Sequence, residues 1–189
     1  VYPVLIKLYE LQFNFLAEDS HQYHEKLITL CNEVILQHSI PRCGFKYEEL
    51  LLFALNQLIA LLQIVGQSSV LIFQRIIYVI GETLISDPFF TLFDSVIDAS
   101  IKLIDNLIEI CPKDRLRAHR FDLVGLTFII AVKCDKEGRL EGNSILNSLQ
   151  HLIYKLNAHG VDTAAIQESL IKDDLYKNVI IKLFTYKEL

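Results

Sequence analysis

Apolar residues recur along this chain at steps of three and four. No stretch keeps a period-two alternation between hairpin turns, so the pattern predicts helices and no strands. Residues 88–110 show it best. Thr91, Asp94, Asp98, Lys102, Asp105 and Glu109 form one polar stripe, while Phe89, Phe93, Val96, Ile97, Ile101, Ile104 and Ile108 fill the remaining faces. A helix with so narrow a polar stripe is one buried on more than one side.

Caps and breakers divide the chain. Pro3 suits the first turn of a helix reaching Ala17, and Glu18–Ser20 breaks it. A second helix runs from His21 to His38, and Pro41 and Gly44 are read as a firm stop. A third covers Lys46 to Val65 and ends at Gly66. Ser68 or Ser69 is read as the cap of a fourth, to Ile85. Asp87 and Pro88 have the residue types of a cap and first position for the fifth, to Ile110. Pro112 stops it, and Asp114 is read as the cap of a sixth, to Lys133. A polar loop, Asp135–Asn143, precedes a helix from Asn143 or Ser144 to Gly160; a short segment (163–172) and a last helix (174–187) follow.

Helix pairs therefore begin near residues 3, 46 and 87, with a later one at 143 after the polar loop. The expected pairs are about 3–38, 46–85, 87–134 and 143–188, in one helical domain spanning 1–189. Helical repeats with periods of about 40–47 residues stack paired helices so that neighbours bury faces a single pair cannot. The turn at Pro112, Asp114, Arg117 and Ala118, followed by Leu123, resembles that of a HEAT repeat, with its acidic turn residue and basic residue early in the second helix. The chain thus resembles the HEAT/armadillo superfamily. The resemblance implies an all-α fold, a right-handed α-solenoid of stacked antiparallel helix pairs; the alternative is an irregular helical bundle. The turns at Glu18–Ser20 and Gly66–Ser69 lack the basic partner.

Composition narrows the class. The chain is 52% hydrophobic with seven Gly and four Pro among 189 residues, enough for a core and far from disorder. It has no Met, which is the expectation for an internal piece of a longer protein. Cys31, Cys43, Cys111 and Cys134 form no CxxC pair and are read as buried thiols, which points to an intracellular compartment, cytoplasm or nucleus. No signal peptide pattern opens the chain. Leu50–Gly66 is strongly apolar but interrupted by Asn56, Gln57 and Gln63, so a buried helix is expected there and no membrane span.

Motifs for chemistry are weak. His21 and His24 stand three apart beside Glu25, without the His-Glu-x-x-His order or a third ligand, so no metal is expected. Asp135, Glu137 and Glu141 fail a calcium loop, because Arg139 and Leu140 occupy its fifth and sixth positions. His38 and Cys43 are close in sequence, but no nucleophile elbow or phosphate loop accompanies them. Neither enzymatic activity nor a cofactor is expected.

Charge is more informative. The chain carries −5 overall, yet residues 113–139 hold seven cations against four acids, whereas residues 1–66 hold four against seven. The densest cations lie in Cys111–Phe121. Such segregation suits an acidic or phosphorylated peptide held by bidentate arginines. The expected function is a non-catalytic scaffold that binds a partner protein within a complex. In the families resembled, second helices line the concave face, which makes Arg75, Tyr78, Arg115, Arg117, His119 and Arg120 the expected contact residues. Charge reversal at Arg115, Arg117 and Arg120 is expected to weaken an acidic partner and spare the fold. Two alternatives remain: nucleic-acid contact through the Arg115–Arg120 patch, steeply salt-dependent, and a homo- or hetero-oligomer burying an apolar helix face.

Overall fold

Among the described residues, apolar stripes become the buried faces of helices. A computed structural model describes Val4, Lys7 and residues 21–140, 144–172 and 174–185. Among the described residues there is no strand. The chain divides into two compact units, one ending at Cys111 and the other beginning at Pro112. Most of the first predicted helix, with Pro3 and the Glu18–Ser20 break, lies outside the described residues, as do Glu141, Asn143 and the predicted end at Lys187.

In the first unit, α1 (residues 21–43) is α-helical over His21–Thr29, π-helical over Leu30–Ser39 and closes with a turn, Ile40–Cys43. Helix α2 is Glu48–Val65. Helix α3 (residues 73–85) is α-helical over Phe73–Tyr78 and π-helical over Val79–Ile85. Helix α4 is Asp94–Ile110. α2 packs on α1 and on α4, and α3 packs on α1. Leu30, Ile35, Leu55, Leu58, Ile80, Leu103 and Leu107 are wholly buried. Burying each such side chain contributes about 1.5–3 kcal/mol, which makes these contacts the main support of the unit.

Polar contacts between α2 and α4 keep a fixed register. Ser95 Oγ donates to Glu48 Oε1 at 2.6 Å, and Asn106 Nδ2 donates to the Ile59 carbonyl at 3.0 Å, both across 47 residues of sequence. The same interval relates the ends of the two π-helical stretches. Ser39 Oγ donates to the Val34 carbonyl and Ser86 Oγ to the Gly81 carbonyl, each five residues back. Ser39 and Ser86 are 47 apart, and so are Pro41 and Pro88.

Three predicted boundaries are corrected here. Pro41 does not stop α1, which runs on to Cys43 and turns at Gly44, where φ is +52°. A proline lacks the N–H of the ladder and crowds the carbonyl four residues back; the wider π register just before it eases both demands. Ser68 and Ser69 do not cap α3. Residues Gly66–Leu71 form a 3₁₀ stretch, and the buried Ser69 hydroxyl sits 3.9 Å from Cys111 Sγ. Asp87 does accept from the Phe89 amide at 2.8 Å, but α4 starts only at Asp94. Between them Phe90 is drawn into the core and Phe93 is extended; Phe45 stacks on Phe93 and meets Phe90 edge-on. Aromatic burial overrides the cap signal, and Thr91 leaves the polar stripe to become buried.

Phe45–Leu71 is long and apolar enough to cross a membrane by length and composition. The core helix of a globular unit meets the same description, and α2 buries Leu51, Leu55, Leu58 and Leu62 inside its own unit.

The second unit holds α5 (Lys113–Ala118), α6 (Arg120–Lys136), α7 (Ser144–Ala158), α8 (Thr163–Leu170) and α9 (Lys177–Phe184). α6, α7 and α9 pack on one another, and α8 lies against all three. Gln150 Nε2 donates to the carbonyls of Lys182 and Thr185, which satisfies the end of α9. The predicted sixth helix is broken at His119 into α5 and α6. Asp114 makes no capping hydrogen bond, because the helix already begins at Lys113. His119 Nδ1 lies 3.0 Å from Asp122 Oδ2 and ties the first turn of α6 to the break.

Candidate partner-binding site

Leu116 is wholly buried, and the short α5 packs against α6. That sets Arg117 beside the loop between α7 and α8. Arg117 Nε donates to the Gly160 carbonyl at 3.2 Å, and its Nη1 lies 3.7 Å from Asp114 Oδ1. Gly160 has φ +81°, and a Cβ there would stand 2.8 Å from Arg117 Nη2. Glycine therefore serves the turn twice, for its left-handed backbone and for the room it leaves the guanidinium. Arg120 Nη1 donates to the Arg117 carbonyl at 2.9 Å, and its guanidinium lies 4.6 Å from the centre of the Phe121 ring.

These groups line one groove of about 460 Å³, with Val161, Asp162, Ala165, Ile166 and Ser169 opposite. Asp162 caps α8 by accepting from the Ala165 amide at 3.0 Å. The lining sets two guanidinium forks against one carboxylate, Asp162, while Asp114 beside Arg117 offsets part of that charge from outside the lining. Each fork has five N–H donors, so both keep donors for a carboxylate or phosphate. Phe121 offers an exposed apolar face beside them, with Val161 and Ile166 buried at the base of the groove. The arrangement suits an acidic segment that also carries an apolar side chain.

The expected contact residues divide into groups. Arg117 and Arg120 share the groove. Arg115 is exposed on α5 outside its lining, and His119 is partly buried against Asp122. Arg75 and Tyr78 are exposed on α3, in the first unit. Arg117 has a structural duty as well, through Gly160, so reversal of all three arginines bears on the fold too. Sequence reasoning missed Phe121, Val161, Asp162, Ile166 and Ser169. Asp162 was open to detection: it follows Gly160 and stands directly before the helical run at Thr163, where a cap belongs.

The other candidates come to less. Only His24 of the histidine pair has a described side chain. Among the described residues no three of His, Cys, Asp and Glu cluster to hold a metal ion. All four cysteines are buried thiols. Burial pushes Cys31 up from an ordinary 9.0 to about 12, and raises Cys43 and Cys111, with the Ser69 contact partly offsetting the last. A thiol so held stays neutral and is a poor nucleophile.

Two comparisons with known proteins bear on the chain. Residues 1–92 match the model of the Tti2 family. Over 159 residues, 83% of the chain, the sequence is 34% identical to TEL2-interacting protein 2 of Saccharomyces cerevisiae. The chain spans 37% of the length of that relative. No solved structure matches the chain.

Proposed function

We propose, from the match of residues 1–92 to the Tti2 family, that this chain is part of a Tti2-type protein and works as a non-catalytic protein-binding module of an intracellular complex. The observation that carries this is the 34% identity to a protein named for interacting with TEL2. We accordingly take a TEL2-type protein as the partner. The groove between α5–α6 and the α7–α8 loop is the proposed contact, and an acidic segment of the partner its occupant.

Stacking of HEAT/armadillo type is proposed for the first unit. Contacts of α2 with α4 and of α1 with α3 follow the order in which successive pairs stack, first helix on first and second on second. The 47-residue register of Ser95 with Glu48 and of Asn106 with Ile59 supports the same reading.

Association of purified chain with purified TEL2 tests the function. A stoichiometric complex on size exclusion is the expected result. Separate elution of the two at tens of micromolar refutes the assignment. Filter binding of DNA and RNA in low salt runs beside it, and tight salt-sensitive retention there would favour nucleic acid instead.

A further inference from the structure

Gly125 stands in the interior of α6. Glycine at such a position is less stable than alanine, since it loses more backbone freedom on folding. The described residues supply no reason for it. Its φ is not positive, so the turn-forming freedom of glycine is unused. A Cβ built on it meets no atom of the described residues within 4 Å, so no packing among them demands its absence. What remains is the approach of a second backbone from outside.

Its neighbours on the helix point the same way. Phe121, Gly125, Ile129 and Lys133 stand four apart and share one face of α6. Phe121 is 61% exposed and Ile129 44%. Single exposed apolar residues need no explanation, but here two of them flank an unexplained glycine. Positive charge closes the row, with Arg120 over the Phe121 ring and Arg117 beside it at one end and Lys133 at the other. From Phe121 to Lys133 the row runs about 18 Å, roughly three turns of helix.

We propose that this row seats a helix of the partner protein, crossing α6 over Gly125, with apolar side chains on Phe121 and Ile129 and acidic residues reaching Arg117 and Arg120. The inference rests on the protein-binding reading above and specifies its occupant as an acidic amphipathic helix. Glycine at the crossing lets the two axes approach toward the short end of the about 8–10 Å range of helix pairs. A second copy of this chain fits poorly. Crossed in parallel, its arginines would face arginines; crossed antiparallel, they would face Lys133.

Calorimetric titration of TEL2 into the full chain tests the proposal, using wild type, Gly125→Leu, Gly125→Ala and Ile129→Ser, with thermal unfolding of each measured alongside. Both glycine variants are expected to unfold at or above the wild-type temperature. Gly125→Leu is expected to lose at least tenfold in affinity, with smaller losses for Gly125→Ala and Ile129→Ser. Equal affinity of all three variants and the wild type overturns the docking proposal and leaves the protein-binding reading standing. Failure of the wild type to bind TEL2 removes both. Self-association of the wild type that Gly125→Leu abolishes, with TEL2 affinity unchanged, makes a second copy the occupant and overturns the proposal. Should the leucine variant not fold, Gly125→Ala and Ile129→Ser decide the matter on the same criteria.

Discussion

Arg117 and Gly160 are the pair on which the groove depends. The guanidinium bonds to the Gly160 carbonyl, and the glycine both adopts φ +81° and leaves the space. Gly160→Ala is expected to lower stability by about 1–2 kcal/mol, read from urea unfolding. In an Arg117→Ala background the same change should cost less, because the close contact is gone; the difference is the coupling between the two residues. Cys31 supports a pH prediction. Its folded pKa lies above its ordinary value, so the stability gained by keeping it neutral is present below pH 9.0 and is lost as pH rises toward about 12. A disulfide thiol reagent at pH 8 should leave Cys31 unmodified in the folded chain and modify it in urea. Of this detail, the buried state of the thiols and the crowding of cations around Arg117 and Arg120 were legible in the sequence. The Gly160 contact was not, because it joins residues 43 apart through a carbonyl that has no sequence signature.

At the scale of elements, the polar stripe of α4 from Asp94 onward and the ends of α2 at Gly66 and α7 at Gly160 follow from periodicity and cap chemistry. Boundaries failed where tertiary packing outweighed a local signal. Phe90 and Phe93 delay α4, the buried Ser69 delays α3, and the π register carries α1 past Pro41. A π stretch has no compositional mark, and the serines that close both stretches look like ordinary turn residues. Ser39 is buried and donates to the Val34 carbonyl at 2.8 Å. Ser39→Ala is expected to cost about 1 kcal/mol. Asn106→Ala, which breaks the bond to the Ile59 carbonyl between α2 and α4, is expected to cost about 1–3 kcal/mol. Exposed Asn56→Ala is the control, within about 0.5 kcal/mol of wild type. Equal effects at 106 and 56, measured by chemical unfolding, would deny the α2–α4 bond its role in the register.

For the whole molecule, the break between two compact units falls inside the basic stretch itself, at Cys111 and Pro112. The helical character of the described residues was legible from the period of the sequence; the hydrogen bonds between α2 and α4 across 47 residues were not, because helix starts are poor markers of register. The proposed partner was not legible at all, since no local motif encodes it; the proposal comes from the name of a relative of which the chain spans 37%. The central claim, an acidic protein partner held at the arginine groove, is tested most directly by titrating TEL2 into the wild-type chain and into Arg120→Glu, which leaves the Arg117–Gly160 contact in place. The account predicts saturable one-to-one binding to wild type, and at least a tenfold loss in the variant at an unchanged unfolding temperature. No binding by the wild type, or equal affinity of the two, would contradict it.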